Sequence, residues 1–178
     1  VAENLKKIGV NIVLLIGGEP FVRKDIHLIV KAFTSRNIHV RMQTNGIATE
    51  KQLSECVNVG GKDISISLDS LEPSLQDEIN GGFNKSWTRA INTIANVNQI
   101  FPESSTAFFN SVIMPKNLNH IIKVIKFATE IGWGVSLVPV HISTPEHPMG
   151  YRTLDYNNNV TFEENHKTKI KKLIKDLK

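Results

Sequence analysis

At 178 residues, 40% of them apolar and 21% charged, the chain is long enough to bury one sizeable core. The longest uninterrupted apolar run, Ile12 to Ile16, falls far short of the roughly 20 residues of a membrane span, and no basic-then-apolar leader is found, so a cytoplasmic protein without a membrane partner is expected. Net charge is 21 − 17 = +4, and residues 162–178 carry six Lys against three acids, so the body is almost neutral and a broad nucleic-acid footprint is excluded.

The first nine residues, ending in Gly9, read as the last turns of a helix, and the sequence is expected to be a fragment. Val10 to Ile16 is β-branched and nearly all apolar, which predicts a strand buried on both faces, as in a parallel sheet. Gly17-Gly18-Glu19-Pro20 breaks it, and Ile26, Ile29, Val30 and Phe33 then recur at helical spacing. Ile38 to Gln43 is a second strand. Thr49 and Gln52 form a capping box for a helix with Leu53, Cys56 and Val57 on one face. Asp63 to Leu68 is the third strand, followed by a polar stretch with Pro73 and Gly81-Gly82 and by a helix from about Trp87 to Ile100. Thr106 to Met114 is the fourth strand, Asn117 caps a helix that Gly132 ends, and Val135 to Val140 is the fifth strand. Strands alternating with helices in this way predict βαβ crossovers and an α/β fold around a parallel sheet. Residues 1–141 form the expected core and 142–160 a linker or loop. Thr161 and Glu164 open a C-terminal amphipathic helix over 161–178 with Ile170, Leu173, Ile174 and Leu177 inward.

In such folds ligands bind where strands end. Those positions are polar and glycine-rich here: Gly17, Gly18 and Glu19; Thr44 and Asn45 before Gly46; Ser67 and Asp69; Asn110; and Pro139-Val140-His141. Glu19 could hold an ammonium group, and the glycines admit a ligand close to the backbone. Each also reads as an ordinary turn when taken alone. A Schiff-base lysine or an acid–base pair would suit an aldolase or isomerase, but no strand interior carries a lysine. Cys56 reads as a small buried hydrophobe. His27, His39, His120 and His166 have no second ligand at a metal spacing, whereas His141 and His147, past the last strand, are candidates for substrate contact.

Taken in order, Ile-Gly-Gly-Glu-Pro-Phe, Gln-Thr-Asn-Gly, Ser-Ile-Ser-Leu-Asp-Ser-Leu-Glu-Pro, Phe-Asn-Ser-Val-Ile-Met-Pro-Lys-Asn and Val-Ser-Leu-Val-Pro-Val resemble strands two to six of a radical S-adenosylmethionine (SAM) enzyme. The likeness runs from about Val10 to His141 and is nearest to the branch of molybdenum-cofactor cyclases and peptide-modifying maturases. It implies a partial (β/α)6 barrel of the TIM type whose first strand, with a Cys-x-x-x-Cys-x-x-Cys loop for a [4Fe-4S] cluster, precedes Val1 by about one βα unit, roughly 40 residues. It also implies SAM as cofactor, cleaved reductively to a 5′-deoxyadenosyl radical that abstracts hydrogen, with an electron donor as partner.

Carried over residue by residue, Gly17, Gly18 and Glu19 would receive the SAM amino group, and Thr44 and Asn45 would edge the cavity. Ser67 with Asp69 beside it, and Asn110, would face the carboxylate or ribose, and the backbone around Val138 the adenine. The likeness assigns no catalytic side chain and no metal ligand within the chain. Leu14 and Phe108 stand where the cyclases place basic residues for a nucleotide triphosphate, so the substrate, small molecule or peptide, does not carry over. A non-radical barrel lyase or isomerase, or a clipped barrel that only binds a partner, is the alternative. The fragment alone is expected to be inactive.

Overall fold

A computed structural model describes residues 1–140 and 161–176. The elements run α1 (Ala2–Lys7), β1 (Ile12–Leu15), α2 (Ile26–Thr34), β2 (His39–Thr44), α3 (Glu50–Asn58), β3 (Asp63–Ser67), α4 (Pro73–Ile79), α5 (Ser86–Ile100), β4 (Thr106–Ile113), α6 (Leu118–Glu130), β5 (Gly134–Pro139) and α7 (Glu164–Asp176). The strands form one open sheet in the order β1-β2-β3-β4-β5, and every neighbouring pair is parallel. No helix among the described residues is long and apolar enough to cross a membrane.

Alternation along the strands separates two faces. Val40 and Met42 of β2, Ile64 and Ile66 of β3 and Phe109 of β4 are buried in one cluster with Ile26, Val30 and Phe33 of α2, Leu53 and Cys56 of α3, and Ala90, Ile94 and Val97 of α5. The opposite face carries Ile12 and Leu14, His39, Arg41 and Gln43, Ser65 and Ser67, Phe108 and Asn110, and Ser136 and Val138. The sheet is not closed, and this second face is left open, with Ile12, Leu14 and Val138 exposed on it. A smaller cluster of Leu118 and Ile121 from α6 with Leu173 seats α7 on α6.

The structure corrects four expectations. β1 is not buried on both faces: Ile12 is 55% and Leu14 48% exposed, because β1 is an edge strand and those two side chains lie on the open face. The polar stretch after β3 contains α4, which starts on Pro73 and is held by the fully buried Gln76, whose Oε1 accepts from the backbone N–H groups of Asp69 and Ser70. Asn117 sits at the N-cap of α6 but does not cap it. Its side chain turns back instead, accepting from Met114 N and donating to the carbonyls of Asp69 and Val112. Ile174 is 52% exposed, as the apolar stripe of α7 on α6 is narrow. The expected linker at 142–160, with His141 and His147, lies outside the described residues, as does Leu177.

Candidate functional site

The chain leaves β1 through Gly17, at φ +127°, and Gly18, and around both glycines the space that a side chain would take is empty. Glu19 follows and begins a short 3-10 turn, Pro20–Val22. Its carboxylate joins the carboxyl ends of β1 and β2. One oxygen accepts from Phe21 N at 3.0 Å, and the other from Thr44 Oγ1 at 3.1 Å and Asn45 N at 2.6 Å. A carboxylate offers about four lone-pair positions, so about one is left for an incoming ammonium group. The Thr44 hydroxyl is itself fixed, because it accepts from Gly46 N, and the Gly46 carbonyl accepts from Thr93 Oγ1 of α5.

Ser67, Asn110 and Ser136 are in register across β3, β4 and β5. They form one polar row on the open face. Asn110 Nδ2 donates to Ser65 Oγ, which leaves the Asn110 carboxamide oxygen for a ligand. Val138, two residues beyond Ser136, is 51% exposed on the same face and supplies an apolar ledge. Ser136 is a residue that the sequence reading missed. Its position two residues before Val138 was the available signal, since alternation puts both on one face.

Asp69 is placed differently from Ser67. It is 5% exposed, and its carboxylate accepts from Val112 N of β4 at 2.6 Å. Together with Gln76 and Asn117 it ties the ends of β3 and β4, so its contact with the rest of the site is through the backbone. Burial pushes its pKa up to about 6, and the Val112 hydrogen bond offsets part of that. An acid whose folded pKa lies above its unfolded value near 3.9 holds its proton longer when folded. Its contribution therefore favours the fold at low pH and is lost as pH rises from about 4 to 6. Asp69→Asn keeps an oxygen for Val112 N and cannot ionise. It is expected to remove a loss of about 2 to 3 kcal/mol between pH 4 and pH 7 from the pH–stability curve. Urea midpoints of both proteins at pH 4, 5.5 and 7 measure it, and parallel curves would refute it.

Cys56 is fully buried in α3, and burial first, then neighbouring Glu55, pushes its thiol up to about 12, so it is no thiolate ligand. Of the described histidines, His39 meets Asp63, His120 meets Ser70 Oγ and His166 Nδ1 accepts from Glu163 N, whereas His27 Nδ1 lies 3.3 Å from Glu55 without forming a hydrogen bond.

The family described as the radical SAM superfamily matches residues 1–128. A probable GTP 3′,8-cyclase of Methanococcus vannielii is 30% identical over 127 residues, covering 71% of this chain and 41% of that protein. One from Methanocaldococcus jannaschii is 27% identical over 176 residues, covering 98% and 56%. The chain thus spans about half the length of these curated relatives. Streptococcus suis SuiB bound to S-adenosylmethionine superposes with a TM-score of 0.70 at 20% identity, over 98% of this chain and 38% of that one, and SuiB has also been solved bound to the precursor peptide SuiA. With an open sheet of parallel strands, a Gly-Gly-Glu turn at the end of its first strand and a family match over most of its sequence, the chain belongs to the radical SAM superfamily.

Proposed function

We propose that the protein is a radical SAM enzyme that binds SAM across the carboxyl ends of β1 to β5. The reading rests chiefly on one observation: the partly free Glu19 carboxylate and the Ser67, Asn110 and Ser136 row lie at the carboxyl ends of strands in one open sheet. SAM carries an ammonium, a carboxylate, a ribose and an adenine. The donor set fits it in that order. Glu19 and the backbone of Gly17 and Gly18 take the ammonium, with Thr44 and Asn45 holding Glu19 in place. Ser67 and Asn110 hydrogen-bond the carboxylate or ribose, and Val138 lies against the adenine. Asp69 acts here by fixing the strand ends. When bound at a [4Fe-4S] cluster, SAM supplies hydrogen-atom abstraction from the substrate.

The chain itself does not fit the cluster. Its one cysteine is buried on α3, and no group of three metal-binding side chains occurs among the described residues. The cluster ligands therefore belong outside these 178 residues, and the work of this chain is to orient SAM and shield it from water. An external electron donor and a reducing, cytoplasmic setting suit thiolate ligands. The substrate is a small molecule or a peptide. The SuiB complex with a precursor peptide supports the peptide, and the uncharged Leu14 and Phe108 weigh against a nucleotide triphosphate.

Asn110→Leu tests this reading. In the full-length protein with its cluster reconstituted, the change is expected to weaken SAM about three- to tenfold, the value of one hydrogen bond, and to lower stability by about the one hydrogen bond to Ser65 Oγ. Anaerobic calorimetry measures it. Failure of the unaltered protein to bind SAM would overturn the proposal.

A further inference from the structure

Arg41 lies in the middle of the open face, on β2. Its side chain falls on the same side as His39 and Gln43, away from the core that takes Val40 and Met42. The guanidinium carbon sits 4.9 Å from the centroid of the Phe108 ring on β4. That ring is itself placed by β5. A side chain at Gly134, the register partner of Phe108, would come within 2.5 Å of the ring, so glycine there is what lets Phe108 lie flat on the sheet. Gly134, Phe108 and Arg41 thus build a platform across three strands.

The cation on this platform has no counter-charge among the described residues. Arg41 pairs with no carboxylate among the described residues, and its Nε is closed to solvent without a hydrogen-bond partner. The nearest acid along the register is Asp63. Its two oxygens meet His39 Nε2 and Thr106 N, and no hydrogen bond or ion pair joins it to Arg41. A buried donor left without an acceptor is costly, and an arginine offers a planar fork of N–H groups matched to two oxygens on one atom. Phe108 lies two residues before Asn110 on β4, so the platform is about 7 Å nearer the amino ends of the strands than the polar row.

We propose that Arg41, seated on Phe108, is a substrate subsite that receives a carboxylate or phosphate group in the layer beneath SAM. The assignment rests on the open face being the SAM and substrate cavity. It adds a requirement that the likeness to other proteins does not supply, namely an anionic group on the substrate. Stacking on the ring holds the guanidinium in place and leaves its terminal N–H groups for oxygen ligands.

The test is read in the full-length, nitrogen-15-labelled protein at the arginine Nε–Hε cross-peak that disappears in Arg41→Lys. Inorganic phosphate and succinate are titrated separately, each against sodium chloride at equal ionic strength. A saturable shift with phosphate alone assigns a phosphate group, and one with succinate alone a carboxylate. A shift with both assigns the shared oxyanion chemistry. Phe108→Ala is expected to weaken the response about two- to fivefold, the value of the stacked contact. A cross-peak that follows the chloride control with both anions overturns the proposal. SAM is titrated into the same sample and read at the Asn110 side-chain amide. If that amide stays still while Arg41 responds, the SAM placement falls and the anion subsite stands; the reverse pattern removes only the subsite.

Discussion

Gly46→Ala is expected to destabilise the protein by about 2 to 5 kcal/mol, with two causes that add. Gly46 has φ +97°, where a side chain costs about 1 to 2 kcal/mol. A methyl group there would also stand 2.7 Å from the Ala90 Cα and 2.8 Å from the Ala90 nitrogen. Those atoms are backbone inside α5, so relief requires the helix to move off the sheet, and overpacking of this kind costs about 1 to 3 kcal/mol. Gly132→Ala separates the two causes. Gly132 has φ +75° with nothing within 4 Å, so only the conformational cost of about 1 to 2 kcal/mol applies. Urea unfolding of both variants at one pH measures the difference, and equal losses would show that α5 yields freely. The consequence reaches the site. Gly46 N donates to Thr44 Oγ1, and its carbonyl anchors Thr93 Oγ1 of α5, so a displaced Gly46 loosens the Thr44 hydroxyl from Glu19.

Much of this was legible in the sequence because its signals were local. All five strands were placed from the sequence, β1 as an apolar, β-branched run, and the Thr49–Gln52 capping box occurs as read, with Thr49 Oγ1 accepting from Gln52 N and the Gln52 side chain returning to Thr49 N. The features that escaped are held by long-range contacts. α4 spans only seven residues and is fixed by the Gln76 side chain reaching back to the Asp69–Ser70 backbone, which no hydrophobic period announces. The start of α5 is likewise capped from a distance. Asp77 accepts from Lys85 N, Ser86 Oγ and Trp87 N, contacts led by Trp87 N that hold its carboxyl below the usual range. At the site, alternation put Ser67 and Asp69 on one side. It could not show that a backbone N–H on β4 would claim the Asp69 carboxylate once the chain turned into α4. The platform of Gly134, Phe108 and Arg41 comes from three strands, and only the register assembles it.

Glu19→Gln is expected to weaken SAM binding by about 2.5 to 4 kcal/mol, or roughly 60- to 1000-fold. The loss has a direct part, the charge-assisted contact to the ammonium, at about 1.5 to 3 kcal/mol. An indirect part follows from the three donors that Glu19 already holds. One carboxylate oxygen faces both Thr44 Oγ1 and Asn45 N, the other Phe21 N. A glutamine offers one oxygen. The Thr44 hydroxyl can rotate to accept from the new amide, but the Asn45 N–H cannot turn away, so the amide group must either oppose it or flip and oppose Phe21 N. Either arrangement shifts the turn after β1 or the one after β2, and adds about 1 kcal/mol. Glu19→Asp restores the charge on a shorter arm that cannot span both turns, and its affinity is expected between the other two. Anaerobic calorimetry of the three full-length proteins, each with the cluster reconstituted, orders them. Should the glutamine protein bind SAM within about threefold of the unaltered one, Glu19 is a clasp between the ends of β1 and β2, and the ammonium is held by the Gly17–Gly18 carbonyls without it.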